Sequence, residues 1–315
     1  MAVQDIIPTL DLSDFTDKNS EDRLKFVNDL GNAYSSIGFV AIKNHGLSEV
    51  TIKKLYEKVI AFFDLPDDVK EKYHMADLHG QRGYTGKGKE HAKDSAVGDL
   101  KEFYHIGQPA HLHEYPENIF PEEVDGFQDI TTDVFLKLEQ CGLEILRAIA
   151  LYLELPEEYF DDKVSGGNSI LRPLHYYPIE DEETLKKGAV RASAHGDINL
   201  ITLLIGASAE GLEVQKRDGE WVGVTALPDS IIVNVGDMLE RLTNNKLRST
   251  IHRVVNPPDE RLGTSRYSVP FFMHPKASMD LSCLDHCISS SNPKQYEDIT
   301  AGDFLDQRLR EIGLK

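Results

Sequence analysis

Two histidines and one aspartate stand at spacings that could bind a transition metal. His195 and Asp197 are two positions apart before an apolar run, and His252 lies in a second β-rich run much later in the chain. Because side chains alternate in direction along a strand, His195 and Asp197 can point to the same side, and Gly196 between them is expected to let a metal or co-substrate approach the backbone. Two imidazoles and one carboxylate on one face of an octahedral ion leave three positions open, which suits the oxygen chemistry of non-haem iron(II).

An arginine and a serine follow in the next predicted strand. Arg266 and Ser268 share one strand face by the same alternation, so a guanidinium and a hydroxyl can bind one carboxylate. A buried arginine needs a partner, since an unpaired charge is costly to bury. A dicarboxylate co-substrate would provide that partner, and an ion pair with one of the many acidic residues is the alternative.

The elements that must carry these residues are short strands. Beyond residue 165 about eight β-rich runs follow one another, with Gly, Asp, Asn or Pro in most of the gaps. Closely spaced strands of this kind indicate a jelly roll rather than a parallel sheet with crossover helices. The predicted runs are Ser169–Tyr177, Ala189–Ala194, Asn199–Ile205, Leu212–Gln215, Trp221–Val224, Ile231–Val235, Thr250–Val255 and Arg266–Met273.

Helical patterns flank the β-rich part. Apolar spacing predicts a helix from about residue 21 to Ile37, a strand over Phe39–Lys43, helices from Ser48 and from Pro66, a long helix from about Phe127 to Leu153, and a closing helix within Tyr296–Leu314. We therefore predict a mainly β fold with flanking helices. Residues 1–164 form a mixed helical N-terminal region packed on a jelly-roll core of residues 165–290, and residues 291–315 add a C-terminal helix to the same globular unit.

Composition and charge exclude several classes of protein. The net charge of −19 over 315 residues argues against nucleic-acid binding, which needs clustered Lys and Arg. Three cysteines, Cys141, Cys283 and Cys287, are too few for a disulfide framework and favour a reducing, cytoplasmic location. No basic leader and no apolar run of membrane-spanning length is evident, so we expect no membrane association. Because heptad repeats are absent, we expect a monomer or weak dimer.

Motifs spread along nearly the whole chain match, in order, those of a known family. They include Gly38-Phe39-Val40 with Asn44-His45-Gly46, Leu171-Arg172 with Tyr176-Tyr177-Pro178, His195-Gly196-Asp197, Asn234-Val235-Gly236-Asp237, Ser249-Thr250-Ile251-His252-Arg253-Val254 and Arg266-Tyr267-Ser268. On these motifs the chain resembles the 2-oxoglutarate- and iron(II)-dependent dioxygenases of the isopenicillin-N-synthase-like branch.

The resemblance implies a fold, two cofactors and an activity. The fold would be a double-stranded β-helix, and iron(II) would bind the His-Asp-His group described above. Arg266 and Ser268 would hold the distal carboxylate of 2-oxoglutarate, with Tyr177 assisting. In this family, oxygen and 2-oxoglutarate are consumed, succinate and carbon dioxide are released, and a small organic substrate is oxidised, most often by hydroxylation.

The resemblance also indicates where this chain departs from the family and where substrate would bind. His175 stands where Asn is common, and it is expected to touch the co-substrate or the substrate. Gly196 stands where Thr is common, at a position that does not coordinate. Further substrate contacts are expected on the strand of Arg266 and in stretches that resemble the lid-like region of the family. The candidate substrate residues are Arg82, Tyr84, Phe103, His175 and Phe272.

Three alternatives stay open at this point. An iron oxidase of the same fold, similar to isopenicillin N synthase or the aminocyclopropane-carboxylate oxidases, would keep Arg266 and Ser268 without consuming 2-oxoglutarate. A non-catalytic binding protein could keep the residues for structure, although a core has no need of so many inward polar groups. A zinc hydrolase could use the same metal ligands but would leave Arg266 and Ser268 without a role. The sequence does not identify the substrate.

Overall fold

The computed structural model describes residues 7–78, 80–88, 101–109, 115–179, 190–205, 211–224, 229–257 and 262–311. The strands in these ranges are β1 (Thr9–Asp11), β2 (Phe39–Lys43), β3 (Gly83–Thr85), β4 (Lys101–His105), β5 (Ile170–Leu171), β6 (Leu174–Tyr176), β7 (Ala192–His195), β8 (Ile201–Ile205), β9 (Leu212–Gln215), β10 (Trp221–Gly223), β11 (Ser230–Val235), β12 (His252–Val254) and β13 (Arg266–Met273). The helices are α1 (Leu12–Thr16), α2 (Arg23–Ser36), α3 (Glu49–Phe63), α4 (Asp67–Lys70), α5 (Phe127–Tyr152), α6 (Asp161–Val164), α7 (Asp237–Leu242) and α8 (Ala301–Glu311).

The described strands form two sheets. The large sheet has the order β1-β2-β11-β8-β13-β6-β4-β3, with β5 also paired to β13, and the small sheet has the order β10-β9-β12-β7. Strands β1 and β2 are parallel, whereas β13 is antiparallel to β5, β6 and β8. Neighbours in each sheet are mostly distant in sequence, as expected for a jelly roll. The predicted mainly β, double-stranded β-helix architecture with flanking helices is confirmed.

Helix α5 supports the strand that carries the predicted carboxylate anchor. The Phe135 ring of α5 lies edge-on to Phe271 of β13, with ring centroids 5.0 Å apart. A Cβ atom at Gly142 would lie only 2.5 Å from Met273 Sδ. Because glycine has no side chain, α5 can approach the end of β13 closely, and this contact positions the strand from behind.

The observed elements follow the predicted pattern with informative differences. The predicted run Ser169–Tyr177 is two strands, because Arg172 N donates to Pro270 O (2.9 Å) while Pro173 has no N–H to continue the ladder. The stretches around Tyr84 and Phe103, which were predicted to contact substrate, are the antiparallel strands β3 and β4. Ala189 and the end of the predicted closing helix, Ile312 to Leu314, lie outside the described residues. Within the described ranges, no helix combines the length and the apolar character needed to span a bilayer.

Candidate iron centre and its cavity

The two histidines predicted as metal ligands face each other across neighbouring strands. His195 ends β7 and His252 begins β12, and they are direct partners in the antiparallel ladder with ring centroids 4.5 Å apart. Asp197 Oδ1 lies 3.7 Å from His252 Nε2. Among the described residues, these three offer ligand atoms that all lie within 4.8 Å of one another. The structure therefore brings together the three residues that the sequence predicted as ligands.

Backbone carbonyls orient both imidazoles. His195 Nδ1 lies 2.7 Å from Ser193 O, and His252 Nδ1 lies 3.1 Å from Thr250 O. A carbonyl oxygen can only accept a hydrogen bond, so each Nδ1 carries the proton. The lone pair on Nε2 of each ring is then directed to a metal, which is the usual way that an outer partner fixes a histidine ligand.

The carboxylate of Asp197 is held by one of its oxygens. Thr202 Oγ1 donates to Asp197 Oδ2 at 2.6 Å, and Asn234 Nδ2 donates to the same atom at 2.8 Å. Oδ1 is left on the side of His252, where it can bind a metal. Sequence reasoning did not single out Thr202 or Asn234 as site residues. The sequence feature that could have identified them is a polar residue within a predicted strand whose other residues are mostly apolar.

The protonation of these ligands suits metal binding. Burial, followed by the proximity of His252, lowers the pKa of His195 to about 4. Burial raises the pKa of Asp197, but the nearby imidazoles and the two hydrogen bonds outweigh it, so this pKa lies below its ordinary value. Near neutral pH His195 is therefore the neutral imidazole, with its Nε2 lone pair free of a proton, and Asp197 is the carboxylate, as metal coordination requires.

Gly196 faces away from the metal ligands. A Cβ atom there would lie 3.0 Å from Asp237 Oδ1 and 3.3 Å from Ser249 Oγ. Asp237 itself receives hydrogen bonds from Ser249 Oγ at 2.7 Å and from Arg308 Nη2 at 2.8 Å. The absence of a side chain at Gly196 thus leaves room for Asp237 of α7, which Arg308 of α8 holds by a hydrogen bond. These contacts explain why a glycine is suited to this position, and the approach of a metal or co-substrate to its backbone stays a prediction.

A cavity opens beside the three ligands, with Arg266, Ser268 and Tyr176 in its wall. Arg266 is 3% exposed, and its Nε and Nη1 atoms have no hydrogen-bond partner among the described residues. Buried donors without acceptors are costly, so this guanidinium is arranged for an anion that enters the cavity. The carboxylate of a 2-oxo dicarboxylic acid fits that requirement, while its other end can reach the metal.

Tyr177 lies on the opposite face of the sheet from the cavity. Strand β13 pairs with β6 so that Arg266 is opposite Tyr176 and Tyr267 is opposite His175. Alternation therefore directs Tyr176 into the cavity, where its ring lies 4.9 Å from the Arg266 guanidinium, and directs His175 and Tyr177 to the other side. The tyrosine beside the predicted anchor is Tyr176, and the predicted placement of Tyr177 is corrected.

Two predicted substrate residues belong to a closed polar cluster on that other face. Glu102 accepts hydrogen bonds from Lys70 Nζ (3.0 Å), Tyr84 Oη (2.5 Å) and His175 Nδ1 (2.7 Å). His175 Nε2 also bonds with Ser265 Oγ at 2.9 Å. We refer to these five residues as the Glu102 network. Tyr84 and His175 are thereby engaged away from the cavity, and the structure does not bring them to a substrate position.

The other predicted substrate residues differ in their placement. Arg82 is fully buried and donates to Pro116 O at 3.1 Å and to Gln81 O at 2.6 Å, away from the cavity wall. Phe272 lines the cavity. Phe103 lies just behind the wall, with its ring 4.6 Å from the guanidinium of Arg172, a cavity residue that sequence reasoning did not select.

Comparison with known proteins defines the family. Residues 7–123 match the model for the N-terminal region of non-haem dioxygenases in morphine synthesis, and residues 168–275 match that of the 2OG-Fe(II) oxygenase superfamily. A proline hydroxylase of Petromyces alliaceus is 36% identical over 96% of this chain and 98% of that protein. The chain is a 2OG-Fe(II) oxygenase.

Solved structures of other oxygenases share the fold over nearly the whole chain. A putative 2OG-Fe(II) oxygenase family protein from Caulobacter crescentus is 41% identical, with a TM-score of 0.87 over 98% of this chain and 99% of that one. A full-length protein from Neurospora crassa, solved in complex with alpha-KG (2-oxoglutarate) and thymine, is 29% identical, with a TM-score of 0.87 over 96% of each chain. The predicted family, the oxidoreductase class and the cofactors iron(II) and 2-oxoglutarate are confirmed for this oxygenase.

Proposed function

We propose that this oxygenase hydroxylates a small organic molecule at an iron(II) ion held by His195, Asp197 and His252, and that Arg266 and Ser268 bind the distal carboxylate of 2-oxoglutarate. One observation carries the proposal. A single cavity contains the three clustered ligand atoms and a buried guanidinium whose Nε and Nη1 donors have no partner among the described residues.

The residues of the chain orient the reactants and exclude water. Iron(II) with bound 2-oxoglutarate supplies oxygen activation that is coupled to decarboxylation to succinate. The guanidinium of Arg266 and the hydroxyl of Ser268 fix the far end of the co-substrate, so its oxo-acid end has one orientation towards the ligand atoms. Apolar side chains such as Leu204, Leu212 and Val254 line the cavity. They exclude water, which would otherwise permit side reactions.

Simultaneous measurement of oxygen uptake and succinate release tests this function. We expect succinate to track oxygen in the presence of a substrate, and the product to be heavier than the substrate by one oxygen atom. Loss of two hydrogens would indicate desaturation or ring closure instead. Oxygen uptake without succinate would contradict the proposal and favour the same-fold oxidase that does not use 2-oxoglutarate.

We further propose that the protein acts in the cytoplasm as a monomer or weak dimer on small molecules and not on nucleic acid. The charge of −19 and the free thiols of Cys141, Cys283 and Cys287 support this. Sedimentation at several concentrations should give a mass near the 35.4 kDa of one chain.

We also propose that residues 1–164, 165–290 and 291–315 form one integrated unit. The support is that β1 and β2 from the N-terminal region complete the large sheet. A single cooperative unfolding transition is expected, and two separate transitions would contradict this arrangement.

A further inference from the structure

A single carboxylate contacts both segments that carry the proposed metal ligands, residues 195–199 and 249–252, which we call the ligand segments. A Cβ atom at Gly196 would lie only 3.0 Å from Asp237 Oδ1, so this oxygen packs against the first ligand segment. The same oxygen accepts a hydrogen bond from Ser249 Oγ at 2.7 Å, in the second. The side chain of Asp237 therefore connects the two segments through one atom.

The backbone at Asp237 is bonded to the first ligand segment as well. Asp237 N donates to Asp197 O at 2.7 Å. The next amide, that of Met238, donates to the carbonyls of Ile198 and Asn199, both at 3.2 Å. The acceptors thus belong to the ligand Asp197 and to the two residues that follow it. A shift of Asp237 would move these bonds, and Asp197 with them.

On the side of His252 the connection runs through two neighbouring residues. Thr250 O accepts the hydrogen bond from His252 Nδ1, at 3.1 Å, that orients the imidazole. Ser249, the residue before Thr250, is held by two bonds from α7. Its Oγ donates to Asp237, and its N donates to Glu240 Oε2 at 2.8 Å. The position of α7 thus helps to fix the carbonyl that orients His252.

The second oxygen of the Asp237 carboxylate is bound by the C-terminal helix α8. Arg308 Nη2 donates to Asp237 Oδ2 at 2.8 Å. The guanidinium is itself held, since Nη1 donates to Glu311 Oε2 at 2.7 Å and its carbon lies 5.3 Å from the centroid of the Phe304 ring. The pair is partly shielded from water, with 32% of the Arg308 side chain and 19% of the Asp237 side chain exposed. This charge-assisted bond fixes the rotation of the carboxylate, and with it the direction of Oδ1.

We propose that Arg308 is a positioning residue of the metal centre, which holds the carboxylate of Asp237 so that Asp197 and His252 can bind one ion together. The inference rests on the metal ligands of the proposed function. Removal of a partner that orients a metal ligand typically lowers metal affinity about 10- to 100-fold, and Arg308 acts one bond further out. Its loss should therefore weaken iron(II) binding by about five- to tenfold.

Anaerobic titration of the metal-free protein with iron(II) alone tests the proposal, because it reports on the ligands without co-substrate or turnover. Arg308→Met removes the guanidinium but keeps an unbranched side chain that can pack on Phe304. We expect its Kd for iron(II), measured by calorimetry, to lie about five- to tenfold above that of the wild type.

Arg23 provides a matched control. Its Nη2 donates to Glu157 Oε1 at 2.7 Å, its guanidinium lies 4.4 Å from the centroid of the Phe15 ring, and 20% of its side chain is exposed. Arg23→Met therefore loses a similar ion pair between distant segments, but one that does not involve the ligand segments. It should bind iron(II) like the wild type, so a loss confined to Arg308→Met cannot come from general destabilisation.

Two further measurements separate positioning from stability. Asp237→Asn should also weaken iron(II) binding, and adding Arg308→Met to it should cause no further loss, since Arg308 acts through that carboxylate. In metal-free protein, the amides of Asp237 and Met238 should exchange with deuterium at least about threefold faster in Arg308→Met than in Arg23→Met, because their bonds to the first ligand segment open more often.

Three results would overturn the role of Arg308: an iron(II) affinity in Arg308→Met equal to that of the wild type, equal losses in Arg308→Met and Arg23→Met, or additive losses when Arg308→Met is combined with Asp237→Asn. Failure of the proposed function would be visible separately. Wild-type protein that binds no iron(II), or that binds it equally well after His252→Ala, would remove the metal site itself and the proposal with it.

Discussion

The two faces of strands β6 and β13 use buried polar groups in opposite ways. On the cavity face, Arg266 is buried with two donor atoms that lack partners among the described residues. On the other face, Glu102 is equally buried, but its carboxylate accepts hydrogen bonds from the side chains of Lys70, Tyr84, His175 and Tyr177. Both groups are charged and both are buried. What distinguishes the binding face is the unsatisfied hydrogen-bonding capacity, because only an incoming ligand can satisfy it.

The electrostatics of the Glu102 network agree with a structural role. Burial raises the pKa of Glu102, but hydrogen bonds from His175, Tyr84 and Lys70 outweigh it and hold the pKa below its usual value. Burial lowers the pKa of Lys70, and its bonds to Glu102 and Asp67 outweigh that effect, so this pKa is raised. The charges of Lys70 and Glu102 are satisfied by partners within the protein, so breaking this ion pair should affect folding more than catalysis.

Exchange of one histidine on each face should give the largest contrast. His252→Ala removes a metal ligand, so succinate formation should fall by about a thousandfold or more, since a bound metal contributes several kcal/mol to such reactions. His175→Ala should retain activity within about tenfold for each folded molecule, while lowering the free energy of unfolding by about 1–3 kcal/mol. Comparable activity losses in both variants would contradict the distinction between the faces.

Replacement of one charge on each face should separate binding from stability. Arg266→Met should raise KM for 2-oxoglutarate about a hundredfold, because about 3 kcal/mol of charge-assisted hydrogen bonding is lost. Its free energy of unfolding should change by less than about 1 kcal/mol. Glu102→Gln should leave that KM within about threefold but lower the free energy of unfolding by about 3 kcal/mol, since it leaves Lys70 buried with a weaker partner. Kinetics and urea denaturation measure both quantities.

The hydroxyl that holds Asp197 should have an intermediate effect. Thr202→Val removes the 2.6 Å bond to Asp197 Oδ2 at nearly constant volume, so iron(II) affinity should fall about 10- to 100-fold. Thr131→Val is the matched control, because Thr131 Oγ1 donates to Phe127 O within α5 and Thr131 is not part of the cavity wall. The control should bind iron(II) like the wild type, and an equal loss in both variants would remove the role assigned to Thr202.

The smallest expected effect is a pH dependence that belongs to the cavity face. The pKa of His195 is lowered from 6.5 to about 4, so protons bind this group more readily in the unfolded chain. Its contribution to stability is complete above about pH 6.5 and is lost as the pH falls towards 4. In metal-free protein the wild type should therefore lose about 1 kcal/mol relative to His195→Gln between pH 7.5 and pH 5.5. A difference that does not change with pH would contradict the lowered pKa.

The sequence was most informative where the alternation of side chains along a strand determines the face on which each residue lies. Alternation alone placed Arg266 and Ser268 on one face, and the structure has both in the cavity wall. It could not assign the neighbouring tyrosine, because the phase of β6 depends on the interruption at Arg172 and Pro173, which ends β5. Because such an interruption of a strand does not repeat along the chain, the spacing of residues does not reveal where the alternation starts again.

Contacts between distant segments also escaped prediction. Thr202 and Asn234 can both bind Asp197 because β8 and β11 are adjacent in the large sheet, and Arg172 of the cavity wall stacks on Phe103 of the distant strand β4. The contact between Gly196 and Asp237, which α8 fixes through Arg308, was not predicted either. These features depend on tertiary pairing, and local pattern does not encode it.

Anaerobic titration of the protein with iron(II) and 2-oxoglutarate tests the assignment of the cavity face most directly. We predict a visible charge-transfer band that saturates at one iron per chain, is absent in His252→Ala, and in Arg266→Met requires about a hundredfold more 2-oxoglutarate. A wild type without the band, or an Arg266→Met variant that saturates at the wild-type concentration, would contradict the claim that this cavity holds both the metal and its co-substrate.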